Sequence, residues 1–161
     1  MVELDAIDMQ ILALLQRDAS VPVALIAERV GLSQSPCWRR IQRLEERGYI
    51  RARVALLDRR KLGFNLEAIV RVHFERESDS APSQFEEIVR GLPEVTECIM
   101  LMGERDFVLR VIATDTDAYE RFLRERLASV PGVRILDSSI AISALKSNHA
   151  LPLELLPTRG A

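Results

Sequence analysis

Apolar residues in the first fifty positions recur with a helical period. In "LDAIDMQILALLQRDA", Ile7, Ile11, Leu14 and Leu15 fall at i, i+4, i+7 and i+8, a stripe along one side of a helix, and Asp5 stands where an N-cap belongs. A second helix opens at Val21-Pro22, runs through "VALIAERV" and stops at Gly31, a residue suited to the left-handed conformation after a last turn. A third follows after "GLS". It is capped by Ser33 or by Ser35, the latter with Pro36 at its first position, turns Cys37, Ile41 and Leu44 inward, and ends at Gly48. A helix, a glycine-led turn and a second short helix form the helix-turn-helix pattern.

After Gly48 the period shifts toward two. Ile50, Ala52 and Val54 alternate in "YIRARVALL", which predicts a strand, and "DRRKLGF" has the charge and glycine of a linker. The rest of the chain repeats a theme. "LEAIVRVHF" reads as a strand, "PSQFEEIVRGL" as a helix, "VTECIMLMGERDFVLRVIA" as a hairpin, "DAYERFLRERLASV" as a second helix and "VRILDSSIAISAL" as a last strand, with similar joints "LPEV" and "VPGV". Strand-helix-strand twice over is the ferredoxin-like βαββαβ arrangement, both helices on one face of an antiparallel four-stranded sheet. Apolar residues on both sides of "IVRV" and "FVLRVI" predict that the other face buries against a second subunit. The fold class is therefore α+β: a helix-turn-helix domain over residues 1–50, a strand and linker over 51–63, and a ferredoxin-like domain with a C-terminal tail over 64–161.

Charge changes the picture. The chain of 161 residues carries a net charge of −2, but residues 1–63 hold 11 Lys and Arg against 8 Asp and Glu, and residues 64–161 hold 11 against 16. Six arginines crowd into residues 31–53. Arg39, Arg43 and Arg47 are spaced four apart, on the side of the third helix away from Cys37, Ile41 and Leu44, with Arg40 alongside and Ser33 to Ser35 at the tip. That layout suits double-stranded DNA: amides and hydroxyls of the helix tip meet phosphate, and side chains of the first turns reach base edges. Gln34, Ser35 and Arg39 are the expected readers, with Arg43 and Arg47 on the backbone. The competing reading is a solvated arginine face balanced by Glu45 and Glu46; the preceding helix and turn favour DNA. Trp38 either contacts DNA or closes the core, and its place three residues before Ile41 favours partial core packing.

Catalysis finds no support. Cys37 and Cys98 are too few for a disulfide framework and lie outside any metal-ligand spacing, so two reduced, mostly buried thiols are expected, with no metal and no cofactor. His73 and His149 have no partnered nucleophile, which argues against an enzyme or an enzyme's regulatory subunit. The acidic start "MVELDAIDMQ" and the absence of an apolar run of roughly 18 residues predict no membrane association and a cytoplasmic location.

The segments "LDAIDMQILALLQRDA", "GLSQSPCWRRIQRLEERGYI", "ALLDRRKLG" and "GERDFVLRV" resemble the Lrp/AsnC (feast/famine) transcriptional regulators, to about Pro152. The resemblance implies a winged helix-turn-helix joined to a RAM (ACT-like) domain, dimers formed through the sheets, and assembly to octamers. It also implies an amino acid or related metabolite bound between RAM domains that alters DNA binding. The family's ligand loop matches Gly103, Asp106 and Phe107, which brings in Met102, Glu104 and Arg105; a glycine there permits close backbone approach to a carboxylate. Many members have tyrosine where this chain has Phe107 and a threonine where it has Leu136, leaving Ser138 as the nearest hydroxyl. Fewer polar contacts point to a small apolar or sulfur-containing effector. The other reading left open is a nucleoid-architectural protein that wraps DNA without answering to a ligand.

Overall fold

The computed structural model describes residues 4–74, 81–102 and 106–156. The chain divides into two compact units: Met1–Leu56 together with Lys146–Ala161, and Leu57–Leu145.

In the first unit three helices, α1 (Ala6–Leu15), α2 (Val23–Arg29) and α3 (Gln34–Glu46), enclose a small core. Ile11, Ile26, Cys37, Ile41 and Leu44 are at most 2% exposed, so the inward stripe of α3 is the expected one. Asp5 caps α1: its carboxylate accepts from the Asp8 N–H at 2.8 Å, and the Asp8 side chain accepts from the Asp5 N–H in return, a reciprocal capping box. Two left-handed glycines end the other helices. Gly31 (φ 70°) lets the Leu32 N–H reach the Ala27 carbonyl at 2.9 Å, and Gly48 (φ 75°) lets the Tyr49 N–H reach the Leu44 carbonyl at 2.9 Å; both are the 6→1 bond that closes a helix end. Ser33 is the N-cap of α3 but makes no side-chain capping bond, which places Pro36 third in the helix instead of first.

Residues 51–58 carry no strand, contrary to the alternation of Ile50, Ala52 and Val54. A strand exists only through a ladder partner, and none pairs with this segment among the described residues. The tail also departs from expectation. It belongs with the helices: the Gln16 side-chain amide donates to the Leu151 carbonyl at 3.1 Å and accepts from the Leu151 N–H at 2.9 Å.

The second unit follows the predicted βαββαβ order. Its elements are β1 (Leu66–Phe74), α4 (Ala81–Arg90), β2 (Val95–Met100), β3 (Asp106–Ala113), α5 (Thr116–Arg121), which continues as a π-helical segment (Phe122–Leu127), and β4 (Val133–Ile140). The sheet order is β2-β3-β1-β4, every pair antiparallel. Strict alternation in β1 buries Leu66, Ala68, Val70, Val72 and Phe74 against the helical layer, where Phe85, Tyr119, Phe122 and Leu127 meet them. The opposite face is chequered, not uniformly apolar as the sequence suggested. Ile69, Ile99, Val108 and Ile112 alternate there with Glu67, Arg71, Asp106 and Arg110, because charged residues occupy the intervening positions of the same ladder rows. Cys37 is buried as expected, but Cys98 is exposed on the edge strand β2.

Candidate nucleic-acid interface and effector site

The structure sorts the arginines of α3 into two kinds. Asp8, 1% exposed, accepts from Arg40 at 2.8 Å and from Arg43 at 2.7 Å, and Asp5 accepts from Arg40 at 2.6 Å. These two guanidiniums fasten α3 to the start of α1. Hydrogen bonds to Asp8, then to Asp5, raise the Arg40 pKa above its ordinary value. Burial by itself would raise the Asp5 carboxyl, but the Asp8 N–H and Arg40 outweigh it and hold it below the usual carboxylate range. Arg39 differs. It is exposed and makes no ion pair or side-chain hydrogen bond among the described residues. Arg47, at the C-terminal end of α3, is exposed.

Ser33, Gln34 and Ser35 are exposed beside Arg39 at the tip of α3. An open concavity of about 490 Å³ is lined by Gln34, Ser35, Trp38 and Arg39 from α3 and by Val23 from α2. Trp38 was expected to pack partly in the core; instead its ring is 50% exposed and stays outside the core cluster, because Cys37 and Ile41 already fill the inward positions of that turn. The predicted readers Gln34, Ser35 and Arg39 therefore share one surface with Trp38, with Ser33 exposed at the same tip, whereas Arg40 and Arg43 are committed to carboxylates. Sequence reasoning missed Asp8. Its signal was an acid three residues after an N-cap acid, with arginines on a later helix to receive it.

The residues expected to hold an effector fall on two faces of the sheet. Gly103, Glu104 and Arg105 lie outside the described residues. Met102 is fully exposed. Asp106 opens β3 on the face away from the helices, its carboxylate 6% exposed, accepting from Arg71 at 2.8 Å and lying 3.0 Å from His73 Nδ1. Hydrogen bonding from Arg71, then His73, holds the Asp106 carboxyl below its ordinary pKa. Phe107, the next residue, points the other way, into the core, its ring centroid 4.6 Å from that of Phe85. Ser138 faces the helices as well, where its hydroxyl lies 2.5 Å from that of Tyr119. Burial raises the Tyr119 pKa, only partly offset by that bond. A second charged set lies on the open face: Arg110 pairs with Glu67 and Glu97, and Arg59 with Glu67. No group of three potential metal ligands occurs among the described residues, and no described helix is long and apolar enough to cross a membrane.

A helix-turn-helix with an exposed polar tip, followed by a ferredoxin-like domain, defines a two-module DNA-binding protein. Residues 67–151 match the model of the Lrp/AsnC ligand binding domain, and residues 4–51 match a winged helix-turn-helix DNA-binding model. The chain is 38% identical over 151 residues to the DNA-binding transcriptional activator DecR of Escherichia coli, covering 94% of this chain and 99% of that one. It is 37% identical over 153 residues to the Bkd operon transcriptional regulator of Pseudomonas aeruginosa, covering 95% and 100%. A transcriptional regulator of Neisseria meningitidis, solved in complex with L-methionine, superposes with a TM-score of 0.88 at 38% identity, covering 95% of this chain and 99% of that one. The protein belongs to the Lrp/AsnC family of DNA-binding transcriptional regulators.

Proposed function

We propose that the protein is a sequence-specific regulator of amino-acid metabolism, controlled by an amino acid or related small metabolite bound between RAM domains. The observation that carries the DNA half is the exposed tip of α3, where Arg39 has no acid to hold it among the described residues while Arg40 and Arg43 do. An unpaired guanidinium in the first turns of a recognition helix suits bidentate contact with guanine. Support for the effector half comes from relatives: the Neisseria meningitidis regulator and a Mycobacterium tuberculosis feast or famine regulatory protein, 29% identical with a TM-score of 0.79, were each solved with L-methionine. A small apolar or sulfur-containing amino acid is the proposed class. Met102, residues 103–105 and Asp106 are the proposed contacts; Phe107 and Ser138 support the strands from the helical side.

Assembly is part of this reading. The face bearing Ile69, Ile99, Val108 and Ile112 is proposed to pair two copies, which present two recognition helices to one duplex, with dimers assembling further to octamers. The deciding experiment is a titration of DNA affinity with and without a panel of amino acids. A shift in affinity for one chemical class supports the regulator; unchanged affinity throughout the panel supports a ligand-independent architectural protein. Gly103→Ala and Asp106→Ala should remove the response while DNA binding without effector persists, with calorimetry reporting ligand and light scattering reporting assembly. Wild-type effector affinity in both variants would remove the loop from the site.

A further inference from the structure

We propose that Trp38 and Val23 form an apolar notch that receives the C5-methyl group of a thymine, making Trp38 a specificity-determining residue. The inference rests on the DNA-reading role of α3 argued above and goes further by naming the base that the apolar part of the surface selects. A tryptophan ring half in solvent is an expensive feature for a small unit whose other large apolar groups on α3 are buried. It does not stand alone. Val23, half-buried, supplies a second apolar wall from another helix, and Gln34, Ser35 and Arg39 surround the concavity with hydrogen-bonding groups.

That combination matches the edge of a base pair better than it matches phosphate. A phosphate oxygen calls for charge or N–H donors, and the indole brings one donor and a broad apolar surface. In the major groove, guanine offers two acceptors suited to arginine, adenine an acceptor and a donor suited to glutamine, and thymine alone presents a methyl group. Arg39, Gln34 and Trp38 thus supply three different chemistries within one turn and a half of α3. The positive charge of Arg39 beside the ring, without an acid partner among the described residues, favours a polyanion over an apolar peptide as the occupant.

The test uses the full chain and a duplex enriched from a random-sequence pool by the wild-type protein. Each thymine is replaced in turn by deoxyuridine, which removes only the methyl group. The expected result is a loss of about fourfold in affinity at one thymine position per half-site, the size of one buried methyl group, and no loss at that position in Trp38→Ala, which binds the thymine and uracil duplexes alike. Trp38 is the only tryptophan in the chain, so its fluorescence supplies a second readout: shielding from acrylamide by the thymine duplex, weaker with the uracil duplex, is expected in the wild type even if the alanine variant folds poorly. Equal uracil sensitivity in wild type and variant, or none at any position, overturns the notch. Failure of the wild type to enrich any sequence overturns the sequence-specific reading on which it rests.

Discussion

Each unit is organised around a shielded carboxylate gripped by two basic side chains, Asp8 by Arg40 and Arg43, and Asp106 by Arg71 and His73. The two differ in what surrounds the cations. Asp8 belongs to a helix cap and its partners come from α3, so the cluster ties α3 to the start of α1. Asp106 is the first residue of a strand and one of the proposed effector contacts, and Arg71 is 53% exposed at the side chain. Both keep one cation partly toward solvent, Arg43 at 42% and Arg71 at 53% side-chain exposure, but only the first ties two helices together. Similar charge chemistry thus fastens one helix to another in one place and bridges neighbouring strands on the open face of a sheet in the other.

The strongest test of that contrast is Asp8→Ala. It deletes half of a capping box, takes the carboxylate from Arg43 and leaves Arg40 with Asp5 alone, and the unfolding free energy should fall by about 2–3 kcal/mol; urea unfolding measures it, and Asp106→Ala should cost less. Equal costs would erase the distinction. Next, Arg39→Ala should weaken specific DNA binding by about 1–3 kcal/mol and leave the urea midpoint unchanged, whereas Arg43→Ala should lower the midpoint. A loss for Arg39→Ala that is the same on random DNA would make it a phosphate contact. A subtler effect is expected with acid. Because the folded-state pKa of Asp106 is depressed, its contribution to stability is fully present above the unfolded value of about 3.9 and disappears as pH falls below that, through the folded value. Carboxyl carbon NMR should find Asp106 titrating below the ordinary range, and Arg71→Ala should bring it upward. The smallest effect separates the thiols: Cys98 should react with a disulfide reagent in the native protein, slowed by its raised pKa, and Cys37 only on unfolding.

What could be read from the chain was what depends on neighbours in sequence. Strand β1 runs from Leu66 to Phe74, the segment its alternation marks, and Gly31 and Gly48 end their helices because a left-handed residue is needed there. Interactions with distant partners were invisible. Arg43 reads as one more basic residue on an outer face until Asp8, 35 residues away, is brought beside it, and residues 51–58 carry strand-forming side chains without a ladder to join. The effector site shows a different failure. Asp106 and Phe107 are consecutive in a recognised motif, yet in a strand consecutive residues face opposite ways, so one lies on the open face and the other against Phe85. A period of two was enough to foresee this.

The pairing of Gln16 with Leu151 has a consequence for synthesis. A ribosome delivers α1, α2 and α3 long before the tail that rests on them, and the whole of the second unit emerges in between. The hydrogen bonds at Gln16 span 135 residues of sequence, with the whole second unit between their two ends. The helices of the first unit must therefore hold together through their own caps and core while the second unit is made, and the tail settles on them only after that.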